Sequence, residues 1–395
     1  MKIVIVNNDF PVYWKGRLTY LRQFLASRNI DLNALELFGK GSPYSFDIYN
    51  NKERWWRCLF PDKSSDELSK EDIEKALLSA LNKINPDIVI GPSIVFFAGA
   101  LGMRWAKNHK KKFVMFDDAK PSQVKRNFIV QRIKNLITSQ IDGLWLPSEE
   151  YDKEFLNLQD KKRLFFYGYS CIDNEFFKFK GERELNHRSI ICIARLVPIK
   201  NLDNLLKSWK LVEEKNNDYS LSIIGDGPLY YSLNKLASTL QLKRVNFIGA
   251  VDNRKIPPYL HHADAFILPS FSESWGLVVN EAMAAGLPVL LSNKINASHS
   301  LLKEEINGYS LNPASISDLS AVILKYINLD MESKKAMSAN SLAIINGMSY
   351  DRMCLQLLDA LMEIEKLTSK RPGLLASLII NSWQGRYNKA GWDKL

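Results

Sequence analysis

Short runs of apolar residues alternate with amphipathic segments along the chain. In the first half, the runs at 3–6, 87–90, 112–116 and 143–146 predict β-strands, and amphipathic segments such as 18–25 predict the helices between them. The runs are continuous rather than alternating, which is typical of strands buried on both faces of a parallel sheet. The first half is therefore predicted to be an α/β domain with a doubly wound, Rossmann-like sheet.

A polar segment at 179–188 separates this series from a second one. Helical patterns then follow apolar runs at 189–193, 219–224, 245–248, 265–268 and 289–291. We predict an N-terminal Rossmann-like domain over residues 1–180, a C-terminal one over 181–367, and a tail at 368–395 that packs back on the N-terminal domain. Ligands bind beyond the carboxyl ends of the strands in such sheets, so the loops after the strands are the candidate sites.

Composition excludes several classes of protein. Of the 395 residues, 46% are hydrophobic and 24% charged, without a biased tract, which disfavours disorder, collagen and coiled coil. The four cysteines form no C-x-x-C pair, which argues against a disulfide framework or a zinc site and fits a reducing compartment. The longest uncharged stretch, 88–103, is interrupted by Gly91-Pro92, and no secretory signal is visible. We therefore expect a cytoplasmic protein.

The net charge of +10 is unevenly distributed. Residues 101–140 contain ten lysines and arginines, opposed only by Asp117 and Asp118, so this window alone carries +8. Two interpretations stay open: solvated helix faces, or attraction to an anionic partner such as phospholipid headgroups, which would hold the protein at the inner face of a membrane. Nucleic acid is the weaker option, because no zinc finger, RNA-recognition signature or basic-region heptad accompanies the charge.

Two loops of the second half carry cations or glycines directly after predicted strands. Arg195 and Lys200 follow the run at 189–193, where a forked guanidinium, an ammonium and the amides of the next helix suit a diphosphate. Gly225 and Gly227, in Gly-Asp-Gly-Pro, permit positive φ and close approach of a ligand to the backbone. Exposed loop cations and a tight turn without a ligand would explain the same residues.

Two further loops carry an apolar residue and a pair of acids. Val251 follows the strand at 245–248, where the loop could lie against a nucleobase. After the strand at 265–268, the loop carries Glu273, and Gly276 opens a helix with Glu281 about one turn inside it. A helix start offers amide donors to phosphate or to a sugar hydroxyl, and carboxylates accept hydrogen bonds from vicinal diols. By spacing alone, a capping acid and a solvent-facing helix acid explain the pair equally well.

In this order and spacing, the motifs Arg195…Lys200, Gly225-Asp-Gly-Pro228, Phe247-Ile-Gly249 and Glu273-x7-Glu281 resemble those of the retaining family-4 glycosyltransferases, which have the GT-B fold. The resemblance is close over 190–313 and looser in the first half. It implies two Rossmann-like domains facing across a cleft, a UDP- or GDP-linked sugar donor, and a glycan or lipid-linked acceptor in surface polysaccharide or glycolipid assembly. Members of the family work without a metal, and no cofactor is expected.

The resemblance also implies residue roles in a displacement with retention at the anomeric carbon. One residue on the acceptor side, Asp117, departs from the family pattern, because Asp117-Asp118 stands where many relatives have His-Asp. The implied roles are diphosphate binding by Arg195 and Lys200, donor-sugar contact by Glu273 with the amides of Ser274, Trp275, Gly276 and Leu277 beside it, ribose binding by Glu281, base contact near Val251, a diphosphate contact at Gly16, and acceptor-side chemistry at Asp117 and Asp118.

Other function classes stay open beside the transferase. A nucleotide-sugar epimerase of the same fold would be expected to carry further acids and histidines in the cleft, and a phosphorylase would need far more chain and a cofactor lysine. A non-catalytic nucleotide-sugar-binding protein is disfavoured by the intact set Arg195, Lys200, Glu273 and Glu281. In the tail, the apolar run at 374–380 predicts a covered helix, with a membrane-surface helix as the alternative.

Overall fold

The chain forms two compact units, each built on one sheet. The computed structural model describes residues 1–10, 12–40, 53–123, 127–155, 164–181, 186–368 and 372–385. The first unit comprises Met1–Ser170 with the described residues from Tyr350 onwards, and the second unit comprises Cys171–Ser349.

Thirteen strands and fourteen α-helices are described. The strands are β1 (Lys2–Asn7), β2 (Asp31–Phe38), β3 (Trp56–Phe60), β4 (Ile88–Pro92), β5 (Lys112–Phe116), β6 (Gly143–Leu146), β7 (Leu164–Tyr167), β8 (Ser189–Ile193), β9 (Ser220–Ile224), β10 (Val245–Gly249), β11 (Ala265–Leu268), β12 (Val289–Ser292) and β13 (Gly308–Leu311). The helices are α1 (Val12–Ala26), α2 (Lys70–Ile84), α3 (Phe97–Asn108), α4 (Phe128–Thr138), α5 (Asn174–Phe177), α6 (Leu202–Glu213), α7 (Tyr230–Thr239), α8 (Ile256–His261), α9 (Leu277–Ala284), α10 (Asn296–Leu301), α11 (Ile316–Ile327), α12 (Met331–Ile345), α13 (Tyr350–Lys366) and α14 (Leu374–Ser382).

Both sheets are parallel and doubly wound, as predicted. The first sheet has the order β3-β2-β1-β4-β5-β6-β7 and the second has the order β10-β9-β8-β11-β12-β13. Every named strand pair is parallel. The central strands β4, β5, β6, β11 and β12 are buried throughout, which explains their continuous apolar sequences.

The two units divide at positions that differ from the predicted boundaries. The second unit begins at Cys171 rather than at residue 181. Within that unit, α5 packs on α9, and the side-chain amide of Asn174 donates to the Ile345 carbonyl at 3.1 Å. The chain returns to the first unit at Tyr350 rather than at residue 368, because α13 packs on α1 and β7.

Four strands were not predicted. The sequences of β2, β3 and β13 contain polar or glycine positions, whereas β7, Leu-Phe-Phe-Tyr, is apolar but only four residues long. β2 contains Asn33 and Glu36, although Glu36 is buried, and β3 contains Arg57. β7 and β13 have four residues each, and β13 begins at Gly308, where a Cβ atom would lie 1.8 Å from the Val289 carbonyl oxygen. Short strands with polar or glycine positions give no continuous apolar run to recognise.

The basic window at 101–140 does not form one charged surface. Arg104 pairs with Glu74 at 2.7 Å, and Lys107 pairs with Asp142 at 2.6 Å. Long aliphatic stems let such cations bury their chains while the charged end reaches an internal acid. Both interpretations of the window assumed solvent-facing cations, and this is wrong for five of the ten, which are buried: Arg104, Lys107, Lys112, Lys120 and Lys134. Lys125 and Arg126 lie outside the described residues.

Within the part of the chain that the structure describes, no helix combines the length and the apolar character needed to cross a bilayer.

Candidate functional site

The order of the second sheet reverses between β8 and β11, which are neighbours in the sheet although two strands, β9 and β10, come between them in the chain. In open parallel sheets, ligands bind beyond the carboxyl ends of the strands at such a point. The loop after β8 carries Arg195 and Lys200, and the loop after β11 carries Glu273. The structure therefore brings these two predicted loops to the same edge of the second unit.

Backbone and side-chain hydrogen bonds hold the two loops together. The Phe271 amide donates to the Ile199 carbonyl at 2.8 Å. The side-chain amide of Asn201, a buried residue with a left-handed φ of 58° at the start of α6, donates to the carbonyls of Pro269 at 3.1 Å and Pro313 at 2.7 Å. Asn201 is a structural residue of the site that no sequence motif indicated, because a single polar residue before α6 is its only sequence signal.

An ion pair between two side chains also joins the two loops. The Lys200 ammonium forms an ion pair with the Glu273 carboxylate, and the Ser270 hydroxyl donates to the same Oε1 atom at 2.8 Å. The two side chains are 17% and 14% exposed, so a ligand can still reach them. An ammonium has three donors, and the pair leaves Lys200 able to bind an anion while Glu273 fixes its position.

Arg195 differs from Lys200 in its contacts. It is half-buried, and among the described residues its guanidinium has no hydrogen-bond or ion-pair partner. A forked cation next to the strand-order reversal, with its donors uncommitted to protein groups, is suited to a bidentate phosphate contact.

The two glycines of the loop after β9 have a packing role. Gly225 adopts a φ of +138°, and a Cβ atom there would lie 1.9 Å from the Ala194 carbonyl oxygen. A Cβ atom on Gly227 would lie 2.6 Å from the Leu196 carbonyl oxygen. The structure thus explains both glycines by the close approach of this loop to the loop that carries Arg195, without invoking a ligand.

The loop after β10 meets α9 at Glu281. Glu281 is 1% exposed, and its Oε1 atom accepts a hydrogen bond from the Asn253 side chain at 2.9 Å. Asn253 lies two residues after Val251, which is half-buried in the same loop. Its neighbour Asp252 caps the turn, and hydrogen bonds from Arg254 lower the pKa of Asp252 to about 2. Val251 and Glu281, predicted from separate motifs, therefore lie on contacting segments.

At the start of α9, backbone groups rather than side chains are available to a ligand. Gly276 caps the helix with a φ of +102°. Trp275 is 3% exposed, and its indole donates to Asn280 at 2.9 Å, so its ring packs inside the unit and only its backbone could contact a ligand. The carbonyl of Ser274 accepts from Asn296 at 2.9 Å, which fixes the loop, and Leu277 begins the helix.

Gly16 lies inside α1 rather than in the loop before it, because the helix begins at Val12, six residues earlier than predicted. A Cβ atom on Gly16 would lie 2.3 Å from the Tyr350 hydroxyl oxygen. Close packing of α1 against the start of α13 therefore accounts for this glycine, and the predicted loop position was wrong.

Asp117 and Asp118 follow β5 in the first unit and differ in environment. Asp117 is buried, accepts from the Ala119 amide at 3.0 Å, and lies 3.9 Å from the ammonium of Lys134 on α4. Asp118 is partly exposed, and its pKa is raised to about 6, first by burial and second by the Asp117 carboxylate. Arg17 lowers that pKa in part. Neither Lys134 nor Arg17 was selected as a site residue from the sequence, since each shares its helix with at least one other cation.

Aromatic rings support this acid pair. Phe116, directly before Asp117, packs on Trp14 and Tyr169 with ring centroids 5.1 and 5.6 Å apart. Burial raises the pKa of the Tyr169 hydroxyl well above its usual value, and the two aspartates raise it further. The loop that carries the two acids therefore packs against buried aromatic rings.

Glu36 is a further buried acid in the first unit. Its Oε1 atom accepts from the Phe10 amide at 2.7 Å, which fixes the chain after β1. Burial raises the pKa of Glu36 to about 7. No cluster of three or more His, Cys, Asp or Glu side chains with metal-binding geometry occurs in the described ranges.

Residues 173–343 match the family model described as "Glycosyl transferases group 1". A segment of 137 residues is 31% identical to an uncharacterized glycosyltransferase of Haemophilus influenzae, covering 34% of this chain and 38% of that protein. A segment of 167 residues is 28% identical to the GDP-mannose-dependent alpha-(1-6)-phosphatidylinositol monomannoside mannosyltransferase of Mycobacterium tuberculosis, covering 40% of this chain and 42% of that protein. The chain thus matches less than half the length of these curated relatives.

Solved structures match over most of the chain. The Anabaena protein HepE in complex with UDP superposes with a TM-score of 0.73 at 16% identity, covering 92% of this chain and 100% of that one. At that identity the likeness establishes the fold, which is that of the GT-B glycosyltransferases.

Proposed function

We propose, from the match of residues 173–343 to the family model of the group 1 glycosyl transferases, that this chain transfers a sugar from a nucleoside-diphosphate sugar to a glycan or lipid-linked acceptor. The observation that carries the proposal is the pair of loops at the β8–β11 reversal, which combine Arg195 with the Lys200–Glu273 pair. Relatives and structural neighbours whose names mention GDP-mannose and UDP support a nucleotide-linked donor.

Arg195 and Lys200 bind the donor diphosphate in this proposal. The guanidinium grips two phosphate oxygens, and the ammonium, positioned by Glu273, adds a second positive charge. The backbone amides at the start of α9, from Ser274 to Leu277, add neutral donors. Because two cations already offset the charge on the departing diphosphate, the reaction needs no divalent metal.

The two acids divide the recognition of the rest of the donor. Glu281, held by Asn253 in a loop that continues from Val251, accepts hydrogen bonds from the ribose hydroxyls, and Val251 lies near the base. Glu273 contacts the donor sugar through the oxygen that Ser270 and Lys200 leave available. UDP and GDP are both compatible with these contacts.

The chemical step is a displacement with retention. The bond between the anomeric carbon and the diphosphate oxygen breaks, and its electron pair stays on the diphosphate. The acceptor hydroxyl oxygen bonds to the same face of the sugar, and its proton passes to the departing diphosphate or to water. Arg195 and Lys200 stabilise the charge that develops on the leaving group, which is the electrostatic part of the catalysis.

Acceptor contacts come from the first unit, through Asp117 and Asp118. Asp118 is the more exposed of the two and binds an acceptor hydroxyl as a carboxylate, while Asp117 is held by Lys134 and keeps the loop in position. We propose that the acceptor belongs to surface polysaccharide or glycolipid assembly.

Calorimetry with nucleoside diphosphates, followed by turnover of the matching nucleotide sugars, tests the proposal. Saturable binding of UDP or GDP and transfer from its sugar derivative would support it. Binding without turnover in the presence of acceptor extracts would indicate a non-catalytic binding protein, and release of an epimerised sugar nucleotide would indicate an epimerase.

A further inference from the structure

The loop after β11 exposes an aromatic ring beside the ion pair of Lys200 and Glu273. Phe271 is 41% exposed, and it lies two residues before Glu273 in the chain. The other aromatic residue of this loop, Trp275, is 3% exposed and packs inside the unit. The fold therefore uses one ring of the loop for packing and leaves the other ring at the surface.

Hydrogen bonds of the backbone fix the segment that carries the exposed ring. The Phe271 amide donates to the Ile199 carbonyl at 2.8 Å. Two residues earlier, the Pro269 carbonyl accepts from the side-chain amide of Asn201 at 3.1 Å, and Asn201 is itself buried. Because the loop is already held by these bonds, a ligand that contacts the ring does not have to order the loop first.

The Phe271 ring has no aromatic or cationic partner within the protein. In the part of the chain that the structure describes, it neither packs on another aromatic ring nor receives a cation. An exposed ring alone needs no explanation, because single apolar side chains are common on protein surfaces. The position of this ring, on a fixed loop beyond the carboxyl end of β11, is what points to a ligand.

The residues next to the ring are polar. Phe271 is the one apolar residue in the sequence 270–274, Ser-Phe-Ser-Glu-Ser. A pyranose sugar presents hydroxyl groups at its edge and C–H groups on its faces. An aromatic face packs on such C–H groups, whereas carboxylate and hydroxyl oxygens bind the hydroxyls. A ring beside the Glu273 carboxylate therefore suits both parts of one sugar.

The order of the strands relates the ring to one end of the proposed donor. In the sheet, β8 and β9 lie between β10 and β11, so the ends of β10 and β11 are about 14 Å apart at about 4.8 Å per strand. The proposed base contact, Val251, follows β10, and the proposed diphosphate contacts, Arg195 and Lys200, follow β8. Phe271 follows β11, which lies on the side of β8 away from β10, and this favours the sugar over the base.

We propose that the Phe271 ring stacks on the C–H face of the transferred sugar, a pyranose whose hydroxyls are bound by Glu273, and thereby contributes to the choice of donor sugar. This inference rests on the proposed function, since it takes the donor to be a nucleotide sugar. It assigns Phe271 to the sugar and to no part of the nucleotide.

Calorimetry with a nucleoside diphosphate and with its sugar derivatives isolates the contribution of the sugar. The probes for the full chain are UDP, UDP-glucose, UDP-galactose, UDP-N-acetylglucosamine, GDP and GDP-mannose. The quantity compared is the Kd of the derivative that the wild type turns over, divided by the Kd of the free nucleoside diphosphate. Phe271→Ala should raise this ratio about three- to tenfold and leave the Kd of the free nucleoside diphosphate unchanged.

Two further substitutions at the same position keep the test decisive if the alanine variant folds poorly. Phe271→Tyr keeps the ring and should give a ratio within about twofold of the wild type, whereas Phe271→Leu keeps the apolar bulk without the flat face and should give an intermediate ratio. Thermal unfolding is measured for each variant.

Tyr259→Ala is a matched control in the same unit. Tyr259 is 38% exposed, and it lines a surface with Ser189, the first residue of β8, so it lies toward the amino ends of the strands. This variant should bind the nucleoside diphosphate and its sugar derivative like the wild type.

Three results would overturn the inference while the proposed function stands. The first is a folded Phe271→Ala variant whose ratio stays within about twofold of the wild type. The second is an equal loss of affinity for the free nucleoside diphosphate and for its sugar derivative, since Phe271 would then act on the nucleotide or on the loop. The third is an unchanged ratio with a raised KM for the acceptor, which would assign the ring to the acceptor. A wild-type protein that binds none of the probes would instead reject the proposed function, and this inference with it.

Discussion

Replacing Arg195 by alanine removes the cation that has no protein partner among the described residues. In the proposed complex, its guanidinium makes a charge-assisted contact to the donor diphosphate, and such a contact contributes about 1.5–3 kcal/mol. Since about 1.4 kcal/mol corresponds to a factor of ten, kcat/KM should fall roughly ten- to more than a hundredfold. No protein contact of the guanidinium is lost, so the free energy of unfolding should change little.

The assay measures the release of nucleoside diphosphate by hydrolysis when the nucleotide sugar is the only substrate. Thermal unfolding of each variant is measured in parallel. Arg244→Ala is a matched control, because Arg244 is an exposed arginine of the same unit that precedes β10, at the amino ends of the strands. It should behave like the wild type. Arg195→Lys should recover part of the loss, since the charge returns without the fork.

A folded Arg195→Ala variant with kcat/KM within about threefold of the wild type would refute the reasoning. So would an equal loss in Arg244→Ala, because the effect would then reflect general surface charge.

Three further predictions concern the acids and the metal requirement. Glu281→Gln should weaken binding of the free nucleoside diphosphate, measured by calorimetry, whereas Glu273→Gln should spare that binding and lower turnover, because in the proposed complex only Glu281 contacts ribose. Turnover should survive prior treatment with EDTA, since in the proposed complex Arg195 and Lys200 supply the positive charge at the diphosphate. The raised pKa of Glu36, about 7 against 4.5 in an unfolded chain, means that the folded state binds an extra proton between these values. The first unit should therefore lose up to about 3 kcal/mol of stability as pH rises from about 4.5 to 7, and Glu36→Gln should remove that slope in denaturant titrations.

Each of these has a contradicting outcome. Equal losses of nucleotide affinity in both glutamate variants would reject the division of roles. Activity abolished by EDTA and restored by magnesium or manganese would show that a metal carries the charge. If the free energy of unfolding of Glu36→Gln depends on pH as strongly as that of the wild type, a group other than Glu36 titrates.

The sequence predicted those parts of the fold whose signal is local. The runs at 112–116, 143–146, 189–193 and 265–268 coincide with strands, because residues buried on both faces leave an uninterrupted apolar pattern. β2 was missed because Glu36 is buried inside it, stabilised by contacts with Phe10 and Trp56 that the sequence cannot show.

The candidate site was predicted in its loops but not in its contacts. Sequence spacing located Arg195, Lys200 and Glu273 after strands, yet the Lys200–Glu273 pair depends on two strands that are neighbours only in the folded sheet. The same limit applies to Lys134, which is 17 positions from Asp117 in the chain and forms an ion pair with it in the fold. Trp275 looked like a contact residue because of its position, and its ring is instead used for packing.

The most direct test of the account follows donor turnover by proton NMR with UDP- and GDP-linked sugars, and reads the anomer formed first, before mutarotation. We predict that one nucleotide series is turned over, that the first-formed product keeps the anomeric configuration of the donor, and that Arg195→Ala slows its appearance at least about tenfold. A first-formed product of inverted configuration, or a protein that neither binds nor turns over any donor in either series, would contradict the account.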